Sequence, residues 1–139
     1  MIKSWKPQEL SISYHQFTVF QKDSVPPVID WTDEAIEKGY AAADGAISFE
    51  AQRNTKAFIL LRLNSSETVN SYEKKVTVPF HVTENGIEIE SIMSKRLSFD
   101  LPKGDYQLTC WTVPAEKSDL HADTYILMLF LCNEKSLRE

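Results

Sequence analysis

The chain has 139 residues, a length that favours one domain with a core large enough to need no staples. Hydrophobic residues make up 42% and charged residues 25%, the mix of an ordinary soluble globule. The formal charge is −5, which argues against a nucleic-acid coat, because phosphate binding needs clustered cations; it permits a partner that is itself basic.

Two cysteines, Cys110 and Cys132, are too few for a disulfide scaffold and lack C-x-x-C spacing, so they read as free thiols in a reducing compartment. The start, Met1 to Pro7, has no apolar h-region of a signal peptide. The most apolar run, Tyr125 to Cys132, is far shorter than the ~20 residues of a spanning helix. A cytoplasmic protein with no membrane insertion is expected.

In chain order, Leu10 to Phe20 alternates, slips by one residue at His15-Gln16 and resumes, which predicts one strand carrying a bulge. Val25-Pro26-Pro27-Val28 is an extended connection. Asp30 or Thr32 can cap a short helix with Asp33 and Glu34 in its first turn and Gly39 as its stop. Tyr40–Ala43 and Ala46–Phe49 read as a hairpin around Asp44-Gly45, with a helical alanine run as the alternative. Ala57 to Leu63 is an apolar strand covered on both faces. Lys75 to Val82 alternates around Pro79, which places it at an edge or at a bulge. Asn85-Gly86 predicts a hairpin into Ile87 to Ile92. Arg96–Leu101, Tyr106–Val113 and Thr124–Leu131 complete the strands.

The fold class expected is therefore all-β: a β-sandwich of about eight short, mostly antiparallel strands with one short helix, in a single domain over residues 1–139. Nothing alternates βαβ, so a doubly wound nucleotide-binding sheet is not expected. Leu127 to Glu139 does not alternate and reads as an atypical tail.

The chemistry is sparse. The sequence carries neither phosphate-binding glycine motif and no G-x-S-x-G elbow, and no catalytic residue or cofactor is assigned. Asp119, His121 and Asp123 would share a face if extended and could ligate a metal; the plainer reading is a solvated loop. His15 and His81 read as satisfied strand histidines. Acids gather at Asp30, Asp33, Glu34 and Glu37, at Glu84, Glu88 and Glu90, and at Asp100, Asp105, Asp119 and Asp123. Each group is either a solvated strand face or a surface for a cationic partner. Trp31, beside acids, is an interface anchor or the cap of one core end; Trp111 is expected in the core.

The runs Ser4-Trp5-Lys6-Pro7 with LSISYHQFTVF, DWTDEAIEKGYAAADGAISFEAQRNTKAF, VPFHVTENGIEIESI and LSFDLPKGDYQLTCW resemble the competence protein J family, the DNA-entry nuclease inhibitors of competent bacilli. The resemblance covers most of residues 1 to about 126; the leucine-rich run and charged tail after it depart from the family pattern. It implies an inhibitor without enzymatic activity that binds the DNA-entry nuclease as its protein partner. Acidic groups would stand in for phosphate in the nuclease groove, or a carboxylate would reach the nuclease's metal. The candidate contact residues are Asp30, Trp31, Asp33, Glu34, Glu37, Glu84, Glu88 and Glu90. Two other classes fit the residues less directly: a sandwich binding another ligand, carbohydrate or protein, and a metal-dependent hydrolase.

Overall fold

The structure, a computed structural model, describes residues 2–43, 45–51, 53–83, 86–113 and 125–133. Among them are β1 (Lys3–Ser4), β2 (Gln8–Ser11), β3 (Gln16–Gln21), α1 (Asp33–Lys38), β4 (Tyr40–Ala43), β5 (Ala46–Glu50), β6 (Lys56–Leu63), β7 (Lys74–Val82), β8 (Gly86–Glu90), β9 (Leu97–Asp100), β10 (Gly104–Val113) and β11 (Tyr125–Asn133). One sheet runs β1-β6-β11-β10-β7, with β2 following β1 along the same edge of β6. The other runs β4-β5-β3-β8-β9. Alternation sends one face of each strand inward, so Leu61, Leu108 and Leu129 from the first sheet join Phe17, Phe49 and Ile89 from the second in one core. Among the described residues the chain is an all-β sandwich with one short helix. Beyond the nine strand runs named from the sequence, the additional strands are the two-residue β1 and the one created by the division of Leu10–Phe20 into two.

That division corrects the expected bulge. Tyr14 and His15 both take left-handed backbone, φ 56° and 54°, and turn the chain from β2 in one sheet to β3 in the other. A one-residue slip in alternation marks a corner between sheets as readily as a bulge within one. The corner is pinned: the His15 N–H donates to Asn54 Oδ1 at 2.7 Å, and the Ala51 N–H donates to the His15 carbonyl at 2.7 Å.

Asn85-Gly86 does not join a hairpin either. β7 lies in one sheet and β8 in the other, and β8 pairs with β3 and β9. Asn85 itself lies outside the described residues, as does Asp44 of the β4–β5 turn. Gly86 has φ +135°, and a Cβ there would sit 2.1 Å from the Phe99 carbonyl oxygen; glycine is required because the β9 backbone lies against it. Pro79 sits in β7, at the edge of its sheet, where its missing N–H costs no ladder bond.

The run expected as an atypical tail is largely a central strand. β11 pairs in parallel with β6 and antiparallel with β10. Leu127, Leu129 and Leu131 point into the core, while Ile126 and Phe130 are buried on the opposite face. A strand apolar on both faces has no reason to alternate. Residues 134–139 lie outside the described part. Trp111, expected in the core, is half-buried on the outer face with its ring 4.6 Å from that of Phe130, because its neighbour Cys110 takes the inward position.

Gln21 couples the two sheets. Its Nε2 donates to the carbonyls of Gly45 (3.0 Å) and His81 (2.8 Å), and its Oε1 accepts from the Thr83 N–H (2.9 Å). Among the described residues no helix is long and apolar enough to cross a membrane.

Candidate partner-binding surface

Helix α1 is short enough to depend on its caps. Thr32 is extended and its Oγ1 accepts the Ala35 N–H at 3.1 Å; Gly39, at φ 84°, donates its N–H to the Ala35 carbonyl at 2.9 Å. Asp33 and Glu34 occupy the first turn, where the helix dipole favours anions. Ala35 is the buried member of the helix, so Asp33, Glu34 and Glu37 are exposed, with Asp30 exposed just before them. Spacings of three and four residues put the helix's three carboxylates close together. Lys38 Nζ lies 2.9 Å from Glu34, whose carboxyl it holds below the usual carboxylate range by hydrogen bonding; Lys38 is raised in turn.

Beside this helix is a shallow pocket of about 280 Å3 walled by Tyr14, His15, Gln16, Trp31, Ile36 and Glu50. Trp31 is half-buried, and its Nε1 donates to Gln16 Oε1 at 3.0 Å, which fixes the indole against β3. Its face therefore bounds the pocket and does not cap the core. Tyr14 and Ile36 are exposed on the pocket's rim, and Glu50 lies 3.4 Å from Lys74. Tyr14, Ile36 and Glu50 were not singled out by sequence reasoning. The phase slip at His15 was the signal that could have found the Tyr14 wall.

The acids of β8 fare differently. Glu88 and Glu90 do share the outer face, but the connection after β3 lies over them. Glu88 is only 6% exposed; its Oε2 accepts the Asp23 N–H at 2.8 Å, and Arg96 Nη1 lies 3.5 Å from Oε1. Glu90 accepts Arg96 Nε at 3.0 Å, and the guanidinium stacks over Phe20 at 5.3 Å. These two carboxylates are thus engaged within the fold, sharing Arg96. Glu84 lies outside the described residues, as do Asp119, His121 and Asp123. Asp100 pairs with Lys22, which lowers its carboxyl pKa, and Asp105 Oδ1 lies 2.6 Å from His81 Nδ1. Among the described residues no group of His, Cys, Asp and Glu is arranged to hold a metal ion.

The fold and this surface define a class: a β-sandwich with an acidic helix and an adjoining aromatic pocket on its surface. The chain belongs to the competence protein J (ComJ) family, whose model matches residues 9–130. It is 95% identical over 127 residues to the DNA-entry nuclease inhibitor of Bacillus subtilis (strain 168), covering 91% of this chain and 96% of that protein. It is similar to the crystal structure of ComJ, inhibitor of the DNA degrading activity of NucA, from Bacillus subtilis, with TM-score 0.85, 92% identity, and 94% of this chain and 98% of that one covered. A solved structure described as crocagin biosynthetic gene J shares the fold at 9% identity, with TM-score 0.50 over 96% of this chain and 97% of that one.

Proposed function

We propose that the chain is a protein inhibitor of a DNA-entry nuclease and carries out no reaction of its own. The observation that carries this is the 95% identity, along 91% of the chain, to a protein named for that activity. Inhibition works by occlusion: the carboxylates of Asp30, Asp33, Glu34 and Glu37 take the place of DNA phosphates before the cations that a nuclease presents to its substrate. Trp31 supplies apolar contact beside them. Glu88 and Glu90 hold Arg96 and the connection after β3, which supports assigning the contact to α1 instead. The free thiols of Cys110 and Cys132 suit a reducing compartment, and we place the inhibitor in the cytoplasm.

The test is titration of NucA-catalysed DNA degradation with the purified chain at two salt concentrations. Inhibition saturating near one-to-one and weakening as salt rises is the expected result. No inhibition at excess refutes the inhibitor reading. Replacing Glu34 and Glu37 together by Lys should weaken inhibition and flatten its salt dependence; unchanged inhibition removes the helix cluster from the mechanism.

A further inference from the structure

Gln16 walls two pockets. The first is the one beside Trp31; the second, of about 220 Å3, is bounded by Gln16, Pro26, Pro27, Glu90, Ile92 and Met93 among others. Sharing Gln16 as a wall, the two make a groove interrupted at that side chain, with Ile36 of α1 at one end and the turn between β8 and β9 at the other. Eight large apolar side chains are exposed among the described residues. Tyr14, Ile36, Ile92 and Met93 line this groove, and Val25 and Val28 flank its two prolines. Met93 is 94% exposed and Val28 92%. Single exposed apolar groups need no explanation, but four of eight lining these two pockets, with two more beside their prolines, suit a contact surface.

The groove's walls are set before anything binds. Ser91 Oγ accepts the Ser13 N–H at 2.8 Å and donates to the Gln16 carbonyl at 2.7 Å, tying the β8–β9 turn to the corner between β2 and β3. Within that turn the Ser91 N–H donates to Ser94 Oγ at 2.9 Å, and Met93 is held at φ 65°, a conformation few non-glycine residues adopt. A preformed turn that presents a methionine to solvent lowers the ordering cost of a complex.

Charge selects the occupant. Glu50 and Glu90 line the groove, and Asp30, Asp33, Glu34 and Glu37 lie on or just before α1 at its end; against these six stand Lys38, Lys74, Lys95 and Arg96, with Lys38, Lys74 and Arg96 paired to Glu34, Glu50 and Glu90, which leaves Asp30, Asp33 and Glu37 as the carboxylates outside these pairs. Such a rim repels nucleic acid and anionic lipid and attracts a cationic protein. Lys and Arg suit it further, because their aliphatic stems pack on apolar walls while their heads reach carboxylates.

We propose that this groove is the docking surface for a basic protein partner. An apolar ridge of that partner enters between Trp31 and Met93, and its cations meet the carboxylates of α1. The partner's identity as the nuclease rests on the inhibitor reading given above. The groove thus extends the contact from the helix across to Ile92 and Met93.

The test measures affinity for NucA by calorimetry, alongside inhibition, for Met93→Asn, Ile36→Lys and the control Tyr72→Ser. Asn tolerates the left-handed backbone, so Met93→Asn keeps the turn while removing the apolar chain. Met93→Asn and Ile36→Lys should each weaken binding at least about tenfold, the scale of a truncated interface anchor, with Tm unchanged. Tyr72, exposed outside the groove, should leave binding at the wild-type level. Folded Met93→Asn and Ile36→Lys proteins that bind like wild type overturn the groove and leave the inhibitor reading standing. A wild-type chain that neither binds nor inhibits NucA overturns both.

Discussion

Leu129→Ala tests the placement of β11 directly. Leu129 is 0% exposed, sits between Cys110 of β10 and Leu61 of β6, and points into the core. Truncation removes three buried carbons, about 2.4 kcal/mol at ~0.8 kcal/mol per buried methylene. The residual cavity in a strand flanked on both sides raises this to about 3–4 kcal/mol, inside the range for buried Leu→Ala. In a domain of this size that lowers Tm by about 6–16 °C. Urea unfolding followed by tryptophan fluorescence reads it as a lower midpoint at unchanged slope. Met128→Ala, half-buried on the outer face of the same strand, should cost clearly less. A Leu129→Ala loss within about 0.5 kcal/mol, as surface substitutions give, would refute the central strand.

Two further outcomes follow from the fold. Burial pushes the Cys110 thiol from its ordinary 9.0 up to about 12, and the Tyr125 hydroxyl from 10.0 to about 12. Because both folded values lie above the unfolded ones, the folded state holds more protons there, so stability is intact below pH 9 and declines from about pH 9 to 12. A Tm that stays flat over that interval would contradict it; Cys110→Val should shrink the decline. Thr32→Ala removes the Oγ1 cap of α1 at a local cost of about 1 kcal/mol. Nuclease inhibition should weaken with little change in Tm, and inhibition equal to wild type would show that α1 need not be ordered to act.

Local signals in the sequence carried much of this architecture. Thr32 and Gly39 bracket α1, Ala43 meets Ala46 across the β4–β5 turn, and Pro79 lies at an edge, because each of these is decided by backbone chemistry within a few residues. What stayed hidden depends on contacts between distant segments. Alternation placed Glu88 and Glu90 on the outer face correctly, yet only the path of residues 22–28 reveals that this face is covered. The same period of two describes a strand that stays in its sheet and one that crosses to the other, so the corner at Tyr14-His15 read as a bulge and Asn85-Gly86 as a hairpin. The helix acids were legible as a cluster; the groove beside them was not, since Tyr14, Ile36 and Met93 come from three separate parts of the chain.

The parallel pairing of β11 with β6 bears on how the protein is made. During synthesis β6, β7 and β10 emerge while the position between β6 and β10 is still empty, and the six-stranded sheet stays split until the final described strand arrives to fill it. Long-range pairing of this kind slows folding and leaves strand edges open meanwhile. A nascent chain interrupted before Tyr125 therefore lacks the strand that joins the two halves of the first sheet, although α1 and every strand of the second sheet precede it.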